Sequence, residues 1–175
     1  MPIRITITGP ESTGKSTLAA DLAQHYDCVL VPEFSRHYAS EKLSPLDAGD
    51  VNAIAAGQME SEDGAAKGAG KLTILDTDLL STVVYSHHYY NACPQWIEKE
   101  AIRRAADLYL LMAIDVPWIA DPQRDRGDRR EEMFALFEER LESLQLPYAT
   151  IAGDWPQRRH AAMDAIQRIL DRGRT

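Results

Sequence analysis

The chain has 175 residues, of which 45% are hydrophobic and 26% are charged, as in an ordinary globular protein with a single core. Its formal net charge of −8 argues against a general nucleic-acid binder, since no basic face is available to neutralise a phosphate backbone. A local anion site is still compatible with this charge, because backbone N–H groups and a few arginines can build one inside an acidic protein.

The sequence indicates a cytoplasmic protein that does not enter a membrane. The longest apolar run, 108–114, is far too short to span a bilayer. The N-terminus enters a strand pattern directly, without the features of a signal peptide. The two cysteines, Cys28 and Cys93, are far apart in the chain and are typical of reduced thiols.

Strand-like and helix-like patterns alternate along the chain. The uninterrupted apolar run 108–114 is typical of a central parallel strand that is covered on both faces. The predicted strands are 3–8, 28–31, 72–75, 108–114 and 148–151. The first two predicted helices are 15–26 and 33–42. The third has Asp47 as its cap and an apolar stripe from Val51 to Met59. The remaining four are 79–90, 96–106, 129–144 and 159–170. The alternation predicts a three-layer α/β/α sandwich around a mostly parallel five-stranded sheet, as one domain over 1–175.

A glycine-rich segment follows the first strand and opens the first helix. It reads Gly-Pro-Glu-Ser-Thr-Gly-Lys-Ser at 9–16, a full match to the P-loop motif. Its glycines let consecutive N–H groups face phosphates, Lys15 reaches the β- and γ-phosphates, and the Ser16 hydroxyl is a ligand for Mg²⁺. ATP and Mg²⁺ are therefore the predicted cofactors. The predicted cofactor-binding residues here are Gly9, Glu11, Ser12, Thr13, Gly14, Lys15, Ser16 and Thr17.

Two carboxylates follow the third predicted strand. Asp76 ends that strand at the carboxyl edge of the sheet, where it is predicted to hold Mg²⁺ directly or through water and to serve catalysis. Asp78 has two interpretations. It contacts substrate if the strand geometry persists, or it caps the helix that follows.

Glu33 follows the second predicted strand, again at the carboxyl edge. A carboxylate there can accept the proton of a hydroxyl that attacks the γ-phosphate, which makes Glu33 a candidate general base. Arg36 lies one helical turn later and pairs with Glu33 or with a substrate group; a surface ion pair is the alternative. Gln58 either reaches substrate or is a satisfied buried amide.

An arginine-rich stretch with interspersed aspartates lies before the sixth predicted helix. Alternating charges in a loop indicate either a solvated surface or a closing lid whose guanidinium groups neutralise the transferred phosphate. We favour a lid at about 116–130. Arg124 and Arg130 are its catalytic candidates, and Arg126 is its candidate for binding the nucleotide.

Four segments occur in an order that resembles the ribosylnicotinamide kinase domain of the NadR family. They are the P-loop, Val-Pro-Glu-Phe-Ser-Arg at 31–36, Asp-Thr-Asp at 76–78 and Asp-Val-Pro-Trp at 115–118. With the arginine-rich stretch, the resemblance covers nearly the whole chain. It implies a P-loop nucleoside-kinase fold and ATP-dependent phosphorylation of the 5′-hydroxyl of nicotinamide riboside (NR) to nicotinamide mononucleotide in NAD synthesis.

The resemblance also carries expectations about the site and about what lies outside it. It implies Lys15, Ser16, Glu33, Asp76 and the lid arginines in the roles given above. Trifunctional members carry an adenylyltransferase domain before this one and often a DNA-binding domain. Since this chain begins at the kinase strand, we expect both activities to be absent.

The substrate that the resemblance implies carries a positive pyridinium ring, which an acidic pocket with aromatic faces would bind. Tyr38, Tyr85 and Trp118 are candidates for that face, with core packing as the alternative. Two other functions share most of these features, namely a kinase for another nucleoside or nucleotide and a nucleotide-dependent regulatory ATPase. A guanine-selecting GTPase is disfavoured because no Asn-Lys-x-Asp segment is present.

Overall fold

The computed structural model describes residues 2–68, 70–117 and 129–172. Within them, five strands form one sheet and seven helices surround it. The strands are β1 (Ile3–Thr8), β2 (Val29–Val31), β3 (Leu72–Asp76), β4 (Leu108–Met112) and β5 (Tyr148–Ile151). The helices are α1 (Lys15–His25), α2 (Phe34–Glu41), α3 (Val51–Ala66), α4 (Leu79–Tyr90), α5 (Gln95–Arg103), α6 (Arg130–Ser143) and α7 (Trp155–Arg172).

The sheet has the strand order β2-β3-β1-β4-β5, and every pairing within it is parallel. α1 and α7 cover one face, where the largest apolar cluster lies. α3, α4 and α6 lie on the opposite side, and α5 packs on α4. The predicted three-layer α/β/α fold is therefore confirmed, with a sheet that is fully parallel.

β4 lies inside the sheet and is buried along its whole length. Leu110 and Met112 belong to the cluster under α1 and α7, whereas Tyr109 and Leu111 pack against α4 and α6. Side chains of a strand alternate between the two faces of its sheet, so a strand covered on both faces needs an unbroken apolar run.

The structure corrects the predicted starts of two helices. Asp47 is not the cap of α3, because residues 48–50 form a turn and the helix begins at Val51 with Asp50 at the N-cap position. α7 begins four residues before the predicted 159, because Asp154 and Gln157 exchange backbone-to-side-chain hydrogen bonds of 2.9 Å. This reciprocal pair is a capping box, and it secures the first turn.

The topology brings three predicted site residues to one edge of the sheet. β3 lies between β2 and β1, with Val31 opposite Leu75 and Ile7 opposite Asp76. The P-loop that follows β1 and Glu33 that follows β2 therefore flank the end of β3.

Among the described residues, no helix combines the length and the apolar character that crossing a membrane would require.

Candidate functional site

The P-loop bends at its two glycines. Gly9 and Gly14 have φ values of +123° and +86°, in a region that residues with a Cβ rarely adopt. A Cβ on Gly9 would also lie 3.1 Å from the Met112 carbonyl oxygen, so the loop can pass this close to β4 only with glycine. Gly14 has no side chain to cap the first N–H groups of α1, which leaves those donors for an anionic ligand.

Lys15 lies over the loop that precedes it. Its ammonium group is largely buried and donates to the Pro10 carbonyl oxygen at 2.7 Å. The Thr13 hydroxyl donates to the same oxygen at 2.8 Å. These bonds hold the lysine charge against the loop, beside the pocket in which phosphates would lie.

Asp76 supplies a buried carboxylate opposite the start of α1. Burial raises the pKa of Asp76, a hydrogen bond from Ser16 opposes that shift, and the negative charge of Glu33 adds to it. Its Oδ1 atom is buried and has no hydrogen-bond partner among the described residues. A buried carboxylate oxygen without a partner, close to a hydroxyl, fits the oxygen ligands that Mg²⁺ prefers.

Few protein ligands for Mg²⁺ come together among the described residues. Residues 2–68, 70–117 and 129–172 contain no cluster of three or more His, Cys, Asp or Glu side chains that could hold a metal. Mg²⁺ in phosphate sites commonly binds through one or two protein groups plus phosphate oxygens and water. Ser16 and Asp76 match that sparse pattern.

Asp78 lies two residues from Asp76, but its carboxylate is used inside the protein. Oδ1 accepts from the backbone of Leu80 at 3.0 Å and of Ser81 at 3.4 Å, which caps α4. Oδ2 accepts from the Tyr109 hydroxyl at 2.8 Å. The geometry favours the capping interpretation and brings Asp78 to no described cavity.

Glu33 stands at the N-cap position of α2 without capping it. Its oxygens accept from the Ser35 hydroxyl at 2.9 Å and from the Arg36 guanidinium at 3.2 Å. The predicted ion pair with Arg36 is thus present. Glu33 also borders two adjoining cavities, which a purely superficial ion pair would not do.

The first of these cavities, the phosphate pocket, has a volume of about 260 Å³. Its lining includes most of the P-loop and the start of α1, and Arg36 lies opposite them. The residues are Glu11, Ser12, Thr13, Gly14, Lys15, Ser16, Thr17, Glu33, Ser35, Arg36, Ala39 and Leu46.

The second cavity, the acceptor cavity, is larger, at about 660 Å³. Tyr85, Tyr89 and Tyr90 of α4 contribute to its wall, and the rings of Tyr85 and Tyr89 stack with centroids 6.0 Å apart. Tyr38 is not part of that lining; its hydroxyl donates to Asp50 at 3.0 Å, which raises the Tyr38 pKa. The aromatic surface of this cavity therefore comes from α4, with Tyr85 the predicted residue that it includes.

Three of the predicted site residues, Trp118, Arg124 and Arg126, lie outside the described residues, as does most of the predicted lid. Arg130 is the first residue of α6 and donates to the Val116 carbonyl oxygen at 3.0 Å. Its Nε and second terminal nitrogen are buried without a hydrogen-bond partner among the described residues. Burial and the neighbouring Arg158 lower the Arg130 pKa, so this guanidinium favours an added anion.

Sequence reasoning missed Arg158, which is 1% exposed. Its guanidinium donates to carbonyl oxygens of Thr13 at 2.9 Å, Gly153 at 2.8 Å and Ala113 at 3.1 Å. It also forms an ion pair with Asp115. Arg158 thereby ties the P-loop to the loops that follow β4 and β5. Its carbonyl partners include residues 45 and 145 positions away, so no local pattern in the sequence signals it.

The chain matches a family model described as "AAA domain" over residues 4–158. The trifunctional NAD biosynthesis/regulator protein NadR of Escherichia coli (strain K12) is 29% identical over 153 residues, which are 84% of this chain and 37% of that protein. The NadR protein of Salmonella typhimurium is 31% identical over 127 residues, which are 70% of this chain and 31% of that protein. The chain spans about a third of the length of the curated relatives it matches.

Solved structures show the same fold. The crystal structure of NadR protein in complex with NR superposes with a TM-score of 0.77 at 22% identity, over 96% of this chain and 49% of that one. A structure of NadR protein in complex with NAD and AMP-PNP matches with the same values. Thymidylate kinase from Ehrlichia chaffeensis matches with a TM-score of 0.70 at 16% identity, over 95% of this chain and 97% of that one.

Proposed function

The chain belongs to the AAA domain family, whose model matches residues 4–158, and we propose that it is an ATP-dependent small-molecule kinase. One observation carries the proposal: Glu33 borders both the phosphate pocket and the acceptor cavity. A carboxylate in that position can take a proton from an acceptor hydroxyl while the hydroxyl oxygen faces the γ-phosphate. The whole chain, 1–175, would act as one kinase domain.

The acceptor that we propose is nicotinamide riboside, phosphorylated at its 5′-hydroxyl to give nicotinamide mononucleotide in NAD salvage. Three observations support this choice: the likeness to NadR proteins, the solved complex of NadR with NR, and the chemistry of the acceptor cavity. Tyrosine rings and carboxylates, including Glu11 and Asp47, line that cavity. A cationic pyridinium ring gains from both, through cation–π contact and opposite charge.

The roles of the residues follow from their positions. Backbone N–H groups at the P-loop and the Lys15 ammonium would hold the phosphates of ATP, and Ser16 with Asp76 would hold Mg²⁺. Bound Mg²⁺ would supply neutralisation of phosphate charge. The acceptor oxygen would attack the γ-phosphorus, the bond from that phosphorus to the ADP oxygen would break, and the acceptor proton would pass to Glu33.

Arginines would complete the charge balance at the transferred group. Arg130 has two buried donor groups to offer. Arg124 at the same group, Arg126 on the nucleotide and Trp118 beside the acceptor base remain predictions of a lid at about 116–130. Arg36, exposed beside Glu33, would bind acceptor or phosphate oxygens.

The decisive measurement is ADP formation with NR and with a panel of nucleosides and nucleoside monophosphates at equal concentrations. We expect kcat/KM to be higher for NR than for every other acceptor, with nicotinamide mononucleotide identified as the product. Turnover of another nucleoside but not of NR would contradict the acceptor and keep the kinase. A rate of ATP hydrolysis that no acceptor changes, but that a protein partner increases, would favour a regulatory ATPase instead.

A further inference from the structure

The start of α2 is fastened to α3 through two adjacent residues, Gly57 and Gln58. The backbone N–H of Phe34, the first residue of α2, donates to Gln58 Oε1 at 3.1 Å. The Phe34 ring lies on Gly57 so closely that a Cβ there would be 2.1 Å from the ring. Since Glu33 immediately precedes Phe34 and does not cap the helix, Gln58 acts as the cap of α2.

Buried charges determine which way the Gln58 amide points. Its Nε2 donates to Glu62 Oε1 at 3.1 Å, and Glu62 Oε2 accepts from Arg4 at 2.9 Å. The Arg104 guanidinium approaches the same oxygen at 3.6 Å. A carboxylate paired with arginines only accepts hydrogen bonds, so the NH₂ group of Gln58 must face Glu62. Its carbonyl oxygen is then left for the Phe34 N–H.

This arrangement keeps Gln58 away from the substrate. Gln58 and Glu62 are 3% and 4% exposed, and neither lines the acceptor cavity or the phosphate pocket. Glu33, in contrast, borders both. Any effect of Gln58 on phosphoryl transfer would therefore pass through the position of the Glu33 backbone.

We propose that Gln58 is a positioning residue for Glu33: the Gln58–Phe34 hydrogen bond, oriented by Glu62, holds the general base between the two cavities. This inference rests on the proposed role of Glu33 as the base. Misplacing a reacting group by about 1 Å can cost about 100-fold in rate, so a loosened α2 start is expected to lower kcat.

The test is a double-mutant cycle with Gln58→Met and Glu33→Gln, assayed with ATP and NR. Methionine keeps the length of the side chain and removes both hydrogen bonds. We expect Gln58→Met to lower kcat by about 10-fold or more in the wild-type background and by less than about 2-fold in the Glu33→Gln background. The KM for ATP should not change, because the P-loop is not touched.

A matched control is Gln167→Met, which removes an exposed Gln-to-Asp171 hydrogen bond at the same i,i+4 spacing on α7. It should leave kcat unchanged in both backgrounds. Gly57→Ala is a second variant, because its added methyl must displace the Phe34 ring while alanine favours the helix by about 1 kcal/mol. This variant should show the same non-additivity with Glu33→Gln if Gln58→Met fails to fold.

Two results would overturn the inference, and they differ in whether Glu33 keeps its role as the base. Equal losses of kcat from Gln58→Met in both backgrounds would show that Gln58 does not act through Glu33, while the kinase and its base would stand. Near-normal kcat of Glu33→Gln alone would remove the base role and this inference with it. Faster hydrogen exchange at the Phe34 amide in Gln58→Met, with unchanged exchange in Gln167→Met, would support the fastening directly.

Discussion

The phosphate pocket and the acceptor cavity adjoin each other but are built in different ways. The phosphate pocket is lined mainly by one continuous segment, in which glycines shape the backbone and N–H groups are available as donors. The acceptor cavity is assembled from side chains of α2, the following loop, α3 and α4. A backbone cradle recognises any phosphate chain, whereas a wall of separate side chains can change its ligand by substitution. In this chain, phosphate binding would therefore depend on backbone geometry, and acceptor choice on replaceable side chains.

The largest effect is expected from Lys15→Ala, which breaks the phosphate side alone. Loss of its charge at the β- and γ-phosphates should lower kcat on the order of 10³-fold or more, with the fold intact. Turnover and the thermal unfolding midpoint measure the two effects. Lys99→Ala, exposed on α5, is the control. Activity within about 10-fold of wild type would contradict the phosphate role.

Arg158→Met tests whether the P-loop depends on distant support. Removing the guanidinium leaves three carbonyl oxygens, one buried and two partly buried, without their donor and Asp115 without its ion pair, which should lower the free energy of unfolding by about 4 kcal/mol. Urea denaturation measures this change. Arg168→Met, exposed on the same helix, should change it by less than about 0.5 kcal/mol. An equally small change at Arg158 would show that the P-loop holds its shape locally.

Asp78→Asn separates the carboxylate that caps α4 from Asp76, the proposed Mg²⁺ ligand two residues earlier. Burial raises the pKa of Asp78 from 3.8 to about 6, so the native state binds this proton more tightly than the unfolded chain does. The stability gained from the neutral form is present below pH 3.8 and is lost as the pH rises through about 6.

Asparagine also caps helices but stays neutral. Asp78→Asn should therefore abolish the fall in the free energy of unfolding with rising pH, which amounts to about 3 kcal/mol. Urea denaturation of both proteins at a series of pH values between about 3 and 8 measures it, in the absence of nucleotide. Wild-type and variant curves that run parallel across this range would show that Asp78 does not titrate inside the native protein.

Glu33→Gln tests the point where the two cavities meet. Glutamine keeps the shape of the side chain but cannot accept a proton, so kcat should fall by about 100-fold or more with little change in nucleotide affinity. Steady-state kinetics and nucleotide titration separate the two quantities. Glu60→Gln, exposed on α3, is the matched control. Near-normal turnover would assign proton transfer to Asp76 instead.

The sequence predicted well wherever the determinants of structure are local. The helix Leu79–Tyr90 and the strand Tyr148–Ile151 have the predicted bounds, because their periodicity and flanking residues define them. Prediction was less accurate at the starts of two helices. The Asp47 cap was wrong because residues 48–50 form a turn before α3, and the start of α7 was placed too late because the capping box of Asp154 and Gln157 begins it earlier.

By itself, the sequence determined the P-loop, the mostly parallel α/β fold and the placement of Glu33 and Asp76 at the carboxyl edge of the sheet. Each of these depends on short-range patterns or on the rule that parallel strands share one carboxyl edge. Only the tertiary structure decided that Asp76 keeps an unpartnered oxygen while Asp78 caps α4. It also decided that Gln58 holds α2 and that Arg158 supports the P-loop. Burial and partners distant in the chain make those distinctions, and neither can be read from neighbouring residues.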